Sequence, residues 1–318
     1  MQTQRPKLTI LIPAFNEEAC LPRVFEEINH AIVSLPCDVE VLLIDNASTD
    51  RTGMLAEDFC KKDSRWKYIR FSRNFTVEIS LAAGFRYATG DAMMTVYSDL
   101  QDPPDKIPDF VAKWLEGYDV VYGTRTRRPG DPAWRNFLIK IAYRIIRWMS
   151  DCDLPVDAGD FCLVSRRVRD ALVRMDEQNR YTRGLVHWVG FKRCAISYER
   201  RPRAGGDSKA PFFSIAAFML TAITSFSVKP LRMFTLLGTG IIGITVVLMI
   251  LYIIGRFTQN PPRGITTTLV LLLANLGLMS MGFGILGEYI GRIYTESKKR
   301  PLWVIEKSLN IKLDEHVG

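Results

Sequence analysis

The sequence is poor in residues that bind metals through nitrogen or sulfur. It has three histidines, His30, His187 and His316, and six cysteines, Cys20, Cys37, Cys60, Cys152, Cys162 and Cys194, with no CxxC pair among them. Structural zinc needs about four such ligands at short spacings, so the pattern excludes a zinc module. Scattered cysteines fit reduced, mostly buried thiols better than disulfides. No GxxxxGK[ST] occurs, which removes a P-loop ATPase. After the first apolar strand, where a hydride-transferring dinucleotide enzyme carries GxGxxG, the chain reads "PAFNEE". The match to that fingerprint at Gly238 to Gly243 lies inside a long apolar run with no acidic residue after it, and there glycines read as helix-packing positions. The opening "MQTQRPKLTILIPAFNEE" has too short an apolar run and too early an acidic pair for a signal peptide. The polar part of the chain is therefore expected in the cytosol, and Asn46-Ala47-Ser48 and Asn74-Phe75-Thr76 carry no glycosylation message.

What the sequence does have is positive charge and two long apolar stretches. With 42 Lys and Arg against 34 Asp and Glu, the net charge of +8 favours acidic partners: nucleic acid, phosphorylated small molecules or anionic lipid. Two uncharged runs, Met233 to Gly255 and Ile265 to Gly287, are 23 residues each. About 20 suffice to cross a bilayer as a helix, so two transmembrane helices are predicted. Only "RFTQNPPRG" joins them, which makes an antiparallel hairpin and puts both ends of the chain on one side. Lys229 and Arg232 before the pair and Arg292, Lys298, Lys299 and Arg300 after it mark that side as cytoplasmic. The apolar segment from Pro211 to Val228 would, as a third span, export the Lys298–Arg300 cluster, so it is read as an interfacial helix. The expected division is a catalytic domain over 1–210, a juxtamembrane segment over 211–232, the hairpin over 233–291 and a cytosolic tail over 292–318. Anionic lipids account for the remaining basic side chains, including Arg144 and Arg147, more cheaply than nucleic acid does.

The N-terminal part alternates between two periodicities. "KLTILIPA" reads as a buried strand and "EEACLPRVFEEINHAIVSL" as a helix; "DVEVLLID" is a second strand, with Ser48, Thr49 and Asp50 as cap candidates for a helix through Lys62. Strands over 66–71, 92–97 and 120–124 and a helix over 77–88 continue the series, which implies a mostly parallel sheet covered on both faces. Ligands of such sheets bind beyond the carboxyl ends of the strands. Polar residues gather there: Asn16 and Glu17, Asp45, Asp99 and Gln101, then Arg125.

The stretches "IPAFNEE", "DNASTDRT", "SRNF", "AAGFRYATGD", "SDLQDPP", "GTR", "DAGDF", "RGLVHWVGF", "GGDSK" and "LLGEYIGRIY", in order along nearly the whole chain, resemble inverting glycosyltransferase family 2. The closer likeness is to its polyprenyl-phosphate glycosyltransferases, which include bactoprenol glucosyltransferases and dolichol-phosphate mannose synthases. The resemblance implies an α/β fold of the GT-A (Rossmann-like) type. It also implies transfer of a sugar, a glucose-type hexose favoured, from a UDP-sugar donor to a polyprenyl phosphate acceptor. Asp99 and Gln101 match positions holding Mg2+ or Mn2+, a hard cation suited to one or two carboxylates plus substrate phosphates. The resemblance places Pro13, Ala14, Asn16, Glu17, Asp45, Ser98, Arg125 and Arg135 around the nucleotide sugar, with Asp45 accepting from the uracil imide. Asp157 and Asp160 would position the acceptor phosphate or act as a base, and Arg203, Ser208 and Lys209 would meet the lipid phosphate. Two positions depart from the family pattern: Tyr97 replaces the first acid of Asp-x-Asp, and Ala210 stands where a tyrosine often follows the lysine.

Asp102 reads equally as a turn residue or a site residue, and Asp105 as a helix cap. A processive polysaccharide synthase is disfavoured because Arg144-Ile145-Ile146-Arg147-Trp148 lacks the glutamine of Gln-x-x-Arg-Trp. A catalytically silent, membrane-anchored nucleotide-sugar binder is the alternative that Tyr97 keeps open. Glycine positions in the apolar helices allow for a homo-oligomer.

Overall fold

In a computed structural model, residues 5–125, 158–201, 229–258 and 264–311 are described. Strands and helices alternate as β1 (Lys7–Ala14), α1 (Leu21–Ile32), β2 (Asp38–Asp45), α2 (Thr52–Lys62), β3 (Trp66–Phe71), α3 (Val77–Tyr87), β4 (Ala92–Thr95), α4 (Ile107–Leu115) and β5 (Val120–Arg125). There follow β6 (Ala158–Ser165), α5 (Arg166–Val173), α6 (Thr182–Trp188), β7 (Arg193–Tyr198), α7 (Lys229–Thr258), α8 (Ile265–Ser297) and β8 (Ile305–Leu309).

One sheet joins all eight strands in the order β7-β5-β6-β4-β1-β2-β3-β8. Strands β1 to β4 run parallel, and β5 shares their direction because β6 is antiparallel to both β4 and β5. The sheet is therefore mixed rather than simply parallel: β6 and the edge strand β8 run against the rest. Order 3-2-1-4 reverses direction of winding between β1 and β4, and a crevice forms at such a switch point.

Both faces are covered, which is why the central strands are continuously apolar. Leu8, Ile10 and Ile12 of β1 point into one core with Leu21, Val24 and Ile28 of α1 and Phe110 of α4, while Leu11 joins Phe85 of α3 and Leu172 of α5 on the other. Alternation by two along the strand and spacings of three and four along α1 are the two sequence periods made visible.

Several expected details differ. β4 ends at Thr95, two residues early, because Leu100 adopts a left-handed conformation (φ 52°) and the chain turns through Tyr97–Leu100. Asp105 does not cap a helix. It lies in a short 3-10 turn, exposed, and accepts from Arg201 Nη2 at 2.5 Å, while α4 begins without a side-chain cap. Helix α2 likewise lacks one: Asp50 instead accepts from the Thr52 and Glu18 backbone N–H groups, stitching two loops together.

The two long helices α7 and α8 meet where Phe234 packs over Gly282, leaving no room for a side chain there. Within α7, Lys229–Val247 is long and apolar enough to cross a membrane, and none of it is buried against the rest of the protein. Leu236 and Ile242 on α7 and Leu272 and Phe283 on α8 are exposed. Beyond α8 the chain returns to the sheet: β8 pairs antiparallel with β3, and Trp303 is buried against Tyr87.

Candidate active site

Four loops leave the carboxyl ends of β1, β2, β3 and β4 side by side. Each contains a non-glycine residue in the left-handed region: Asn16 (φ 56°), Ala47 (φ 62°), Thr76 (φ 85°) and Leu100 (φ 52°). Such residues are held in place only by surrounding contacts, and they cluster at functional sites. The contacts are visible. Asn16 N–H donates to Ser48 Oγ and Asn16 Oδ1 accepts from Thr49 N–H, so the "PAFNEE" and "DNAST" loops are clasped together. Asn46 reaches the third loop, donating to Asn74 Oδ1 and accepting from Phe75 N–H.

Between them lies a cavity of about 160 Å³ walled by Pro13, Ala14, Phe15, Glu17, Asn46, Val77, Ser80, Tyr97, Ser98 and Asp99. Of the residues expected at the donor, Pro13, Ala14, Glu17, Ser98 and Asp99 are thus brought together. Arg125 ends β5, on the same sheet edge. Asn16 and Asp45 are not among the wall residues: Asn16 is exposed and Asp45 is buried. Arg135, Asp157, Arg203, Ser208 and Lys209 lie outside the described residues, as does the 211–228 segment.

Asp45 is fully buried and both its oxygens are engaged. Oδ2 accepts from Tyr68 Oη (2.8 Å) and Arg70 Nη1 (2.9 Å), and Oδ1 from Ser48 N–H (2.8 Å). Arg70 also donates to the Ser48 carbonyl and to Glu306 of β8. Burial and the adjoining Asp45 charge push the Tyr68 phenol upward, so it stays a donor. A Cβ at Gly53 would come within 2.9 Å of Tyr68 Oη, so α2 approaches this network only through a glycine. In this arrangement Asp45 fixes the loop that shapes the cavity.

Asp99 accepts from Gln101 N–H at 3.1 Å through Oδ1, and among the described residues Oδ2 has no protein partner. No group of three or more His, Cys, Asp or Glu side chains gathers among the described residues. The Asp99 carboxylate, with the Gln101 side chain two residues on in sequence, is a hard-oxygen set of the kind that fits a magnesium or manganese ion completed by phosphate oxygens and water, and does not fit a closed protein cage. Asp102 is buried and bonded to Tyr198 Oη at 2.5 Å, which ties the loop after β4 to β7; it is a structural residue.

Behind Tyr97 lies an ionic cluster that sequence reasoning did not foresee as a unit. Asp160 on β6 accepts from Arg183 Nε at 2.8 Å and also from Nη2, a forked pair from α6. Glu78, at the start of α3, accepts from Thr182 N–H at 2.8 Å. Burial, and then the Asp160 charge, hold its carboxyl above the usual range. Burial, Asp160 and Glu78 likewise keep the Tyr97 phenol neutral. An acid at position 97 would add a further carboxylate beside Asp160 and Glu78; a phenol avoids that repulsion. Asp160, already paired with Arg183, is suited to positioning rather than to accepting a proton.

Comparison with known proteins shows what the chain is similar to. A family model described as "Glycosyl transferase family 2" matches residues 9–172. An uncharacterized glycosyltransferase, YkcC, of Bacillus subtilis (strain 168) is 37% identical over 96% of this chain and 94% of its own length. A prophage-derived bactoprenol glucosyl transferase of Shigella flexneri is 34% identical over 95% of this chain and 98% of its own. Among solved structures, glucosyl-3-phosphoglycerate synthase from Mycobacterium tuberculosis, in complex with Mn2+, UDP and phosphoglyceric acid, overlaps 69% of this chain and 76% of that chain with a TM-score of 0.47 at 19% identity.

Proposed function

From the premise that the chain belongs to glycosyl transferase family 2, we propose that it is a membrane-bound enzyme that moves a hexose from a UDP-sugar to a polyprenyl phosphate, with inversion. The observation that carries the reading is Asp99 in the wall of a cavity at the switch point of the sheet, in a chain that continues into exposed apolar helices. The 34% identity to a bactoprenol glucosyl transferase over nearly the full chain supports the acceptor class.

The fold around the cavity is the α/β, GT-A type. Pro13, Ala14, Glu17, Asn46 and Ser98 would enclose the nucleoside, and Arg125, with Arg135, would bind the diphosphate through forked hydrogen bonds. Asp99 and Gln101 would hold Mg2+ or Mn2+, whose contribution when bound is to neutralise charge developing on the leaving UDP. An acceptor phosphate oxygen attacks the anomeric carbon, a C–O bond to the lipid phosphate forms and the C–O bond to UDP breaks in line, which inverts the configuration. The acceptor is already an anion, so no proton must be removed, and Asp160 with Asp157 would serve by orienting it. Arg203, Ser208 and Lys209 would receive its phosphate from the bilayer side.

Two features support insertion through a helix pair. The segments before Arg201 and after Leu302 belong to one sheet, so any membrane crossings between them must be even in number, and α7 and α8 would supply two. A membrane pair would also bury the apolar side chains left exposed on both helices.

The test is a donor screen: full-length protein in lipid with undecaprenyl phosphate, Mg2+ or Mn2+, and a panel of nucleotide sugars. Transfer from a UDP-hexose, lost in Asp99→Ala, is expected. Tight nucleotide-sugar binding with no transfer from any donor would sink the enzymatic reading and favour a silent binder.

A further inference from the structure

A second cavity, of about 290 Å³, lies at the junction of the α/β domain with the end of α8 and shares no wall residue with the candidate active site. Three cations line it: Arg73 from the loop after β3, and Lys298 and Arg300 from the segment after α8. Among the described residues, none of the three forms an ion pair with a carboxylate. The acid nearest in sequence, Glu296, accepts from the Gln178 and Asn179 N–H groups at 2.8 and 3.2 Å. Arg73 and Lys298 are instead laid over aromatic rings, each 4.0 Å from the centroid of Phe75 and Tyr294 respectively. Unneutralised cations converging on a concave site are an anion-binding arrangement.

Which anion is indicated by what leads to the cavity. Ile290, Ile293 and Tyr294 of α8, at spacings of three and four and so on one helix face, are all exposed and run up to the cavity wall at Thr295. Free phosphate has no use for such a stripe, whereas a phospholipid would lay an acyl chain along it. The geometry points to a binding site for the headgroup of an anionic glycerophospholipid, held by Arg73, Lys298 and Arg300. The site goes beyond the transfer reaction and rests only on the reading of α7 and α8 as membrane helices.

The site touches the chemistry through one loop. Asn74, Phe75 and Thr76 form part of its wall, and the same three residues are bonded to Asn46 or lead directly into Val77 of the active-site cavity. A bound headgroup would therefore brace the 73–77 loop, including the left-handed Thr76, from the side opposite the donor.

The test uses full-length protein in nanodiscs of phosphatidylcholine alone or in equal parts with phosphatidylglycerol. Co-purifying lipid is measured by native mass spectrometry and amide exchange across 73–77 by mass spectrometry. The parent should retain phosphatidylglycerol selectively and slow exchange in that loop. Arg73→Gln, Lys298→Gln and Arg300→Gln should each weaken retention by about fivefold, the order expected for one cation beside an anionic leaflet. A control with Lys61→Gln, Lys62→Gln and Lys113→Gln removes the same charge elsewhere and should change nothing. Equal retention by the cavity variants and the parent, equal loss in the control, or displacement by inorganic phosphate with no preference for phosphatidylglycerol would each overturn the site. Selective retention without protection of the loop would overturn the bracing. Neither readout requires sugar transfer, so failure here is separable from failure of the proposed reaction.

Discussion

Asp45 and Tyr97 are the residues whose surroundings most change what their positions in the sequence suggest. Asp45 accepts three hydrogen bonds in a fully buried site, one from a guanidinium. Asp45→Asn should destabilise the protein by about 2–4 kcal/mol, read from the denaturation midpoint, because Arg70 and Tyr68 lose a shared anion. Tyr68→Phe, which removes one donor, should cost about 1 kcal/mol. Tyr97→Asp should lower the melting temperature at neutral pH, and Tyr97→Phe should leave it near the parent's, because the charge and not the ring conflicts with Glu78 and Asp160. Two further carboxylates have opposite pH signatures. Glu40 is buried, yet hydrogen bonds from Lys67, Lys7, Thr89 and Thr9 outweigh that burial and lower its carboxyl from 4.5 to about 2. Its folded value lies below the unfolded one, so its contribution is complete above pH 4.5 and is lost as pH falls toward 2. Glu40→Gln should remove about 3 kcal/mol at neutral pH and flatten the acid limb of a stability profile. Glu78 is shifted upward, so its ionisation opposes folding; Glu78→Gln should raise the melting temperature at neutral pH, with the gap closing in acid.

At the scale of elements, the four loops that make the cavity each carry a left-handed residue, and Thr76 is the most strained. A β-branched side chain at φ 85°, ψ 159° occupies a region that is essentially glycine's, at a cost of about 1–3 kcal/mol. Thr76→Gly should stabilise the fold by about 1 kcal/mol in a thermal melt, net of the backbone entropy glycine adds. A lower melting temperature would show that the loop is not strained as described. The edge strand β8 closes the β3 side and presents Glu306 to Arg70. Glu306 is half exposed, so Glu306→Ala should cost under about 1 kcal/mol. Truncation after Arg300, in contrast, removes β8 and buried Trp303 together, and should sharply reduce the yield of folded protein. β1 to β5 and their helices were legible in the sequence because both periodicities are strong there. β6, β7 and β8 were not: "AGDFCLVS" begins with small and acidic residues, and "IEKSL" is a short, polar edge. Their pairing is decided by partners distant in the chain.

At the scale of the whole molecule, the return of β8 links the two sides of the helix pair. If α7 and α8 cross a bilayer, a tag inserted between Thr258 and Gly264 should be digested only from the face opposite to tags at the exposed loop positions Val33 and Val304. Protease accessibility of all three from one face of sealed vesicles would reject the two-span arrangement. The net charge of +8 and the basic cavity at the foot of α8 both suit a domain held against an anionic leaflet.

The sequence by itself determined the α/β alternation, the family through its ordered motifs, the apolar lengths of α7 and α8, and Asp99 at a strand end. These are local properties, fixed by period, length and motif. Only the tertiary structure decided that Asp45 is enclosed, that Asp105 pairs with Arg201 instead of capping a helix, that Asp160 is held by Arg183, and that the last strand closes the sheet. Each of those depends on which groups from distant segments arrive to satisfy a charge or a sheet edge, and a buried carboxylate takes its role from the partners that neutralise it.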